Sequence, residues 1–202
     1  MYTDWRQFEF PPLKNGAPDY SNETFKNRMP EFRKLKDRLI KIDKSELETK
    51  SKIDWSIIWA EMNGFEFNFR VLKPWERDPA FYQTIWMYQS DVPAHEGPVN
   101  HALLEYWQYS FPLNVSSKEK LYSELDLIPA FLKQAEKNLT GNARDLWIAG
   151  INNIRDQGDD LETIKKALNT FHDKNKDEKL FKALQNAKVA NSNFIDWLES
   201  QS

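Results

Sequence analysis

The sequence predicts an all-α protein, and three observations predict it. From residue 30 onward, apolar residues recur at steps of three and four, the spacing that gathers them on one face of a helix. No stretch of adequate length alternates apolar and polar residues as a half-buried strand does. Ser, Asp and Pro fall between the apolar runs, where helices start and stop. The expected architecture is about seven to nine helices in an irregular antiparallel array. It divides into an extended N-terminal arm over 1–29 and a helical domain over 30–202.

The arm is expected because Pro11, Pro12, Gly16 and Pro18 cannot continue a helix. After Pro30, Phe32, Leu35, Leu39 and Ile42 form one helical stripe. Ser45 and Glu48 have capping-box spacing, which predicts that a long helix begins there. Along it, Ile53, Ile57, Ala60, Gly64, Phe67 and Val71 make one stripe, and Trp55, Ile58, Trp59, Met62, Phe65 and Phe69 make another. A helix apolar on two faces is expected to lie buried between neighbours. Within that run, Glu66 and Arg70 are spaced to pair on one face.

Pro74 and Pro79 predict a turn at Trp75 and a new helix capped by Asp78, with Phe81, Ile85 and Tyr88 inward. Gly97 and Pro98 suit the start of another, with Leu103 or Leu104, Trp107 and Phe111 as its stripe. Ser116 with Glu119 suggests a further cap, followed by Leu121, Leu125, Ile128, Phe131 or Leu132, and Ala135, with Pro129 expected to kink or split the helix. Three more helices follow, over NARDLWIAGINNIRDQ, DDLETIKKALNTFH and a last one striped by Leu180, Leu184, Ala187, Asn191, Phe194 and Leu198.

Composition narrows the function. With 28 basic and 31 acidic residues there is no basic excess of the kind that non-specific binding to nucleic acid or an anionic membrane requires. No window approaches the apolar length of a membrane span, and the first residues lack a signal-peptide pattern, so a cytoplasmic address is the default expectation. Zero Cys leaves only His, Asp and Glu as strong metal ligands. With six Gly, neither a phosphate loop nor a nucleophile elbow is present.

PAHEGPVNH, residues 93–101, has the look of a zinc site, with His95, Glu96 and His101 as its candidate ligands. Helical zinc sites place two histidines four apart, so that about 400° of turn returns both to one side. His95 and His101 are six apart, which leaves their rings about 120° apart on an unbroken helix. They are weak metal candidates, and a loop followed by a helix start fits them better. His172 closes a helix ahead of a charged run, where the C-terminal field favours a cation. The tryptophans at 55, 59, 75, 86 and 107 could line a sugar or peptide groove, although helical spacing favours the core for them.

SKIDWSIIWAEMNGFEF, then KPWERDPAFY, then LDLIPAFLKQAEKNLTGNARDLW resemble, in that order, the N-terminal segment of the bacterial domain-of-unknown-function family 885. The most specific matches are Pro74, Trp75, Arg77, Asp78, Pro79 and Tyr82, followed by Ile128, Pro129, Leu132, Ala135, Asn138 and Leu139. The resemblance spans roughly residues 30–200. It implies a mostly helical, zinc-metallopeptidase-like protein about three times this length, whose motif of His-Glu, two residues, then Pro-Gly-His lies downstream. HEGPVNH departs from that motif at Pro98 and Asn100, so no catalytic residue carries over to His95, Glu96 or His101.

The expectation is therefore an N-terminal helical region that is inactive alone and forms part of a substrate-cleft wall. No cofactor is expected in this chain, zinc belonging to the full-length family. Its partner would be the rest of the polypeptide or another subunit, with a peptide as substrate. The alternative is a self-contained helical binding or scaffold module with an aromatic ligand surface.

Overall fold

In a computed structural model that describes residues 1–89, 103–141 and 143–201, helix succeeds helix. Among the described residues these are α1 (Tyr2–Glu9), α2 (Asn22–Ile40), α3 (Thr49–Phe67), α4 (Pro74–Arg77), α5 (Val115–Asn138), α6 (Arg144–Phe171) and α7 (Glu178–Gln201). Among the described residues strand is confined to two-residue pairs, β1 (Leu13–Lys14) with β2 (Ala17–Pro18) and β3 (Ile85–Trp86) with β4 (Leu104–Glu105). The chain is all-α, as expected. Among the described residues six helices have eight residues or more and α4 is a single turn, so the substantial helices described are slightly fewer than the seven to nine expected.

Two compact units are formed. Of the described residues, the first holds 1–14 and 18–74, and the second holds 15–17, 75–89, 103–141 and 143–201. The core of the first unit gathers Trp5 and Phe8 of α1, Met29, Phe32, Leu35 and Leu39 of α2, and Ile58, Met62 and Phe65 of α3. Arg28 closes the end of α1 by donating to the carbonyls of Phe8 and Phe10, with its guanidinium over the Phe8 ring. Burial pulls its pKa down to about 10, against the fields of Glu31 and Tyr20, so it remains a cation at neutral pH.

In the second unit α7 packs against both α5 and α6. The α6–α7 pair is antiparallel, because Trp147 Nε1 donates to the Leu198 carbonyl while Asn191 Nδ2 donates to the Ile154 carbonyl. Buried polar groups are matched between them. Gln157 Oε1 accepts from Thr84 N, Thr84 Oγ1 and Ile85 N at 2.6, 3.0 and 3.2 Å, and its Nε2 donates to Asn191 Oδ1 at 2.8 Å. The β3–β4 ribbon, Ile85 beside Leu104 in parallel, is thereby fixed to α6.

Several expectations are corrected by this arrangement. Residues 1–29 are not one extended arm. Trp5 and Phe8, three apart, bury together as part of α1, and α2 begins at Asn22 under a Ser21 cap whose hydroxyl accepts from Thr24 N. Pro30 lies inside α2, where burial of Phe25, Met29 and Phe32 outweighs one missing backbone hydrogen bond. Ser45 does not cap α3. It sits in a 3₁₀ turn capped by Asp43, and α3 starts later, at Thr49.

Asp78 caps as expected, accepting from Ala80 N, but it opens a 3₁₀ turn, Pro79–Tyr82, that gives way to a strand and leaves Tyr88 exposed. The start expected at Gly97 and Pro98 lies outside the described residues. Leu104 belongs to β4 and Trp107 to a 3₁₀ turn, so no helix carries that stripe. Asn114, rather than Ser116, caps α5, and α5 runs unsplit through Pro129. The two helices expected over 142–172 are one, since Gly158 is accommodated within α6. The stripes expected for α5 and α7 are buried throughout.

Candidate functional site

The two apolar stripes of α3 meet different fates. Ile58, Met62 and Phe65 are buried in the first unit's core. Trp55 and Trp59 stack at its edge with ring centroids 5.5 Å apart. Lys44 lies over Trp55 at 4.8 Å and Lys36 over Trp59 at 5.0 Å, so cations already cover these ring faces. The other stripe faces outward. Ile53, Ile57 and Phe67 are 56%, 47% and 51% exposed, and Val71 and Leu72 beyond them are exposed as well. The expectation that α3 lies buried on both faces is corrected: one of its apolar faces is open among the described residues.

Along that face runs a groove of about 1000 Å³, with Tyr2 and Arg6 of α1 at one side and Ile57, Ala60, Gly64 and Phe67 among its α3 lining. The π turn Asn68–Leu72 that ends α3 places Leu72 in the lining as well. This turn closes with Lys73 N donating to the Asn68 carbonyl at 2.7 Å, with Lys73 in the left-handed conformation ahead of Pro74.

Charge within the groove is partly matched internally. Arg6 donates to Glu61 Oε1 at 2.7 Å and to Glu9 Oε2 at 2.6 Å, and Trp5 Nε1 donates to Glu61 Oε2 at 2.8 Å. Burial works against the Arg6 charge, but hydrogen bonds to Glu61, Tyr2 and Glu9 outweigh it and hold its pKa above the ordinary arginine value. The groove therefore presents apolar side chains around an ion cluster in which one arginine is shared by two carboxylates. On its rim Asp54 makes no ion pair among the described residues.

A second arrangement is the knot formed by residues 75–82 with α5 and α6. Tyr82 Oη donates to the buried Trp75 carbonyl at 2.7 Å, and the Tyr82 ring packs against Phe131 of α5 at 5.6 Å. Gly141 N donates to the Glu76 carbonyl at 2.7 Å. Gly150 of α6 sits so close to the 3₁₀ turn that a Cβ there would lie 2.8 Å from Ala80 N. Burial raises the Asp78 carboxyl above its ordinary range, opposed by its bond from Ala80 N.

His95, Glu96 and His101 lie outside the described residues. Among the described residues no three His, Asp or Glu side chains are grouped to hold a metal. His172 ends α6 as expected, but its Nε2 accepts from Leu113 N at 3.0 Å and its Nδ1 faces Asp177 at 3.4 Å, the pattern of a neutral ring joining two loops. Glu66 does meet Arg70, at 3.6 Å, yet its principal partner is Lys36, whose hydrogen bond holds the carboxyl below its usual range. Trp75 is core, whereas Trp107 is 39% exposed.

The residues missed from the sequence are Tyr2 and Arg6, because the prolines at 11 and 12 hid a short helix ahead of them. The three-residue step from Trp5 to Phe8 was its one signal. Compared with known proteins, the chain matches no family model, no curated protein and no solved structure.

Proposed function

We propose that this chain is the N-terminal helical region of a longer, zinc-metallopeptidase-like polypeptide of the kind found in domain-of-unknown-function family 885. In this reading it contributes a wall of the substrate cleft, the zinc motif lies outside it, and it is inactive alone. One observation carries the reading: two of the three segments that bear the resemblance, KPWERDPAFY and LDLIPAFLKQAEKNLTGNARDLW, meet in space. The Tyr82 ring packs against Phe131, and Gly141 N donates to the Glu76 carbonyl. The open face of α3 is a second support, since a region that belongs to a larger body leaves apolar surface for the rest to cover.

Metal analysis of the purified protein tests the reading. The expected result is no stoichiometric zinc and no peptidase activity. Stoichiometric zinc, lost together with activity on His95→Ala, would refute it. The DNA after the Ser202 codon gives a second test, with a continuing frame that encodes a His-Glu motif as the expected finding.

The other reading, a helical binding module, is favoured by the α3 groove itself, whose apolar lining with few polar groups suits a ligand of its own. A frame that ends at Ser202, with a monodisperse and cooperatively folding monomer, would select it.

A further inference from the structure

The open face of α3 has a repeat that identifies its complement. Ile53, Ile57, Ala60, Gly64 and Phe67 succeed one another at steps of four, three, four and three, which is the a/d pattern of a heptad. A strict a/d stripe is narrow, and it is the seam presented to one partner helix rather than to a sheet or a broad core. The buried stripe of Trp55, Ile58, Met62 and Phe65 has the same steps, and that seam is taken by helix α2 and its neighbours. α3 thus carries two seams, one filled and one empty among the described residues.

Midway along the empty seam stand Ala60 and Gly64. Small residues there let a second helix axis come close and leave a notch for a bulky side chain between the Ile57 and Phe67 shoulders. The positions flanking the seam set charge preference. On the α1 side they are Asp54, Glu61 and Asn68, all in the groove lining. Arg6 is shared between Glu61 and Glu9, so this flank is acidic with Asp54 left to answer, while Lys44 and Lys52 stand beside Ile53 and Ile57 on the other flank.

We propose that this seam seats one amphipathic helix from the remainder of the polypeptide, with apolar residues in heptad spacing, a large one at the Ala60–Gly64 notch and a basic residue opposite Asp54. The identity of the donor rests on the reading of this chain as part of a longer protein. The seam from Ile53 to Phe67 corresponds to a contact about 22 Å long, close to two heptads.

The test uses the whole 202-residue chain and two three-heptad peptides with Leu at the seam positions. One carries Lys on the flank that faces Asp54 and the other Glu there, the opposite flank being Ser in both. Binding is followed by fluorescence anisotropy of the labelled peptide. The Lys peptide is expected to bind at least tenfold more tightly than the Glu peptide. Ala60→Glu, at an exposed position that leaves the fold intact by circular dichroism, is expected to weaken the Lys peptide at least tenfold. Asp54→Lys is expected to erase the preference between the peptides.

Ala60→Glu also makes the chain more acidic, so simple attraction of a cationic peptide would strengthen rather than weaken. Equal binding of the two peptides, no binding of either, or an Ala60→Glu variant that binds like wild type would each overturn the proposal. A frame that stops at Ser202 would remove the proposed donor and the reading under Proposed function, whereas failure of the peptides leaves that reading in place.

Discussion

Two glycines of α6 should respond to the same substitution with opposite signs. Glycine inside a helix is disfavoured relative to alanine by about 1 kcal/mol, so either Gly150→Ala or Gly158→Ala gains that much from backbone propensity. At Gly158 the new methyl meets only Asn191 Nδ2, at 3.6 Å, an ordinary contact. At Gly150 it would lie 2.8 Å from Ala80 N, 2.8 Å from Pro79 Cβ and 2.9 Å from Pro79 Cδ. Those atoms belong to backbone and a ring, and cannot swing away as the end of a long side chain can.

The turn that carries them is itself held, by Asp78 accepting from Ala80 N and by Tyr82 Oη donating to the Trp75 carbonyl. Overpacking of this kind costs about 1–3 kcal/mol. Where it must displace a fixed turn, the upper half of that range applies, and a net loss of about 1–2 kcal/mol remains after the propensity gain. Gly158→Ala should instead gain about 0.5–1 kcal/mol. Urea unfolding followed by far-ultraviolet circular dichroism measures both, and for a chain of this size each kcal/mol moves Tm by about 2–4 °C. If Gly150→Ala proves as stable as Gly158→Ala, the close approach of α6 to the Pro79 turn is wrong, and with it the packing of the knot.

Adjacent isoleucines in α3 make a similar contrast: Ile58→Ala should cost about 2–4 kcal/mol in thermal or urea melts, whereas the exposed Ile57→Ala should change stability by less than about 0.5 kcal/mol. Gln157→Leu should cost about 3–5 kcal/mol, because it strands Thr84 N, Ile85 N and Asn191 Oδ1 without partners, and a variant within about 1 kcal/mol of wild type would show that the network is dispensable. Glu124 should make stability depend on pH. Burial raises its pKa in the folded chain, opposed by the Tyr109 hydroxyl bond at 2.6 Å and by Lys120, so the folded state holds its proton more tightly than the unfolded state does. Its contribution is present below the ordinary carboxylate range and is lost as pH rises through the raised value. Relative to Glu124→Gln, wild type should therefore lose stability from acid toward neutral pH, a trend that parallel urea titrations at several pH values would reveal. Arg6→Met should cost about 3–5 kcal/mol, since it leaves Glu61 and Glu9 as buried carboxylates without their cation, and recovery on the double change with Glu61→Gln would locate the cost in that pair.

The helices of the second unit were legible because their apolar periodicity is long and each stripe has a single face. Leu121, Leu125, Ile128 and Ala135 in α5, and Leu180, Leu184, Ala187, Asn191, Phe194 and Leu198 in α7, are buried as their spacing predicts. Helix ends were less legible, since capping is a contest among neighbouring polar residues that geometry decides. Asn114 outcompetes Ser116, and Asp43 takes the amide of Ser45 before Ser45 can cap anything. Proline misled in both directions. Pro30 and Pro129 each remove one hydrogen bond, and well-packed helices pass through both, whereas Pro79 opens only a single 3₁₀ turn. At Gly158, a residue that reads as a break sits in the middle of a continuous helix because the apolar face on either side keeps its phase.

The candidate groove was legible only by half, for a reason that concerns what periodicity measures. Spacing tells which side chains share a face; it carries no information about what covers that face. Both α3 stripes keep helical spacing, so periodicity makes burial on both sides the natural expectation, and only the smaller bulk at Ala60 and Gly64 sets the open stripe apart in the sequence. The difference between them is long-range. α1 and α2 supply Trp5, Phe8, Phe32 and Leu35 to one seam, and the described chain supplies only the rim of α1 to the other. The ion cluster beneath that rim argues in the same direction. Arg6 is shared between Glu9 and Glu61, so most of the charge there is answered within the cluster, Asp54 alone is left for a basic partner, and the free energy of occupation must come mainly from removing Ile53, Ile57 and Phe67 from water. An occupant chosen on that basis is apolar, elongated and helical. That description fits a structural partner of α3 better than a small substrate.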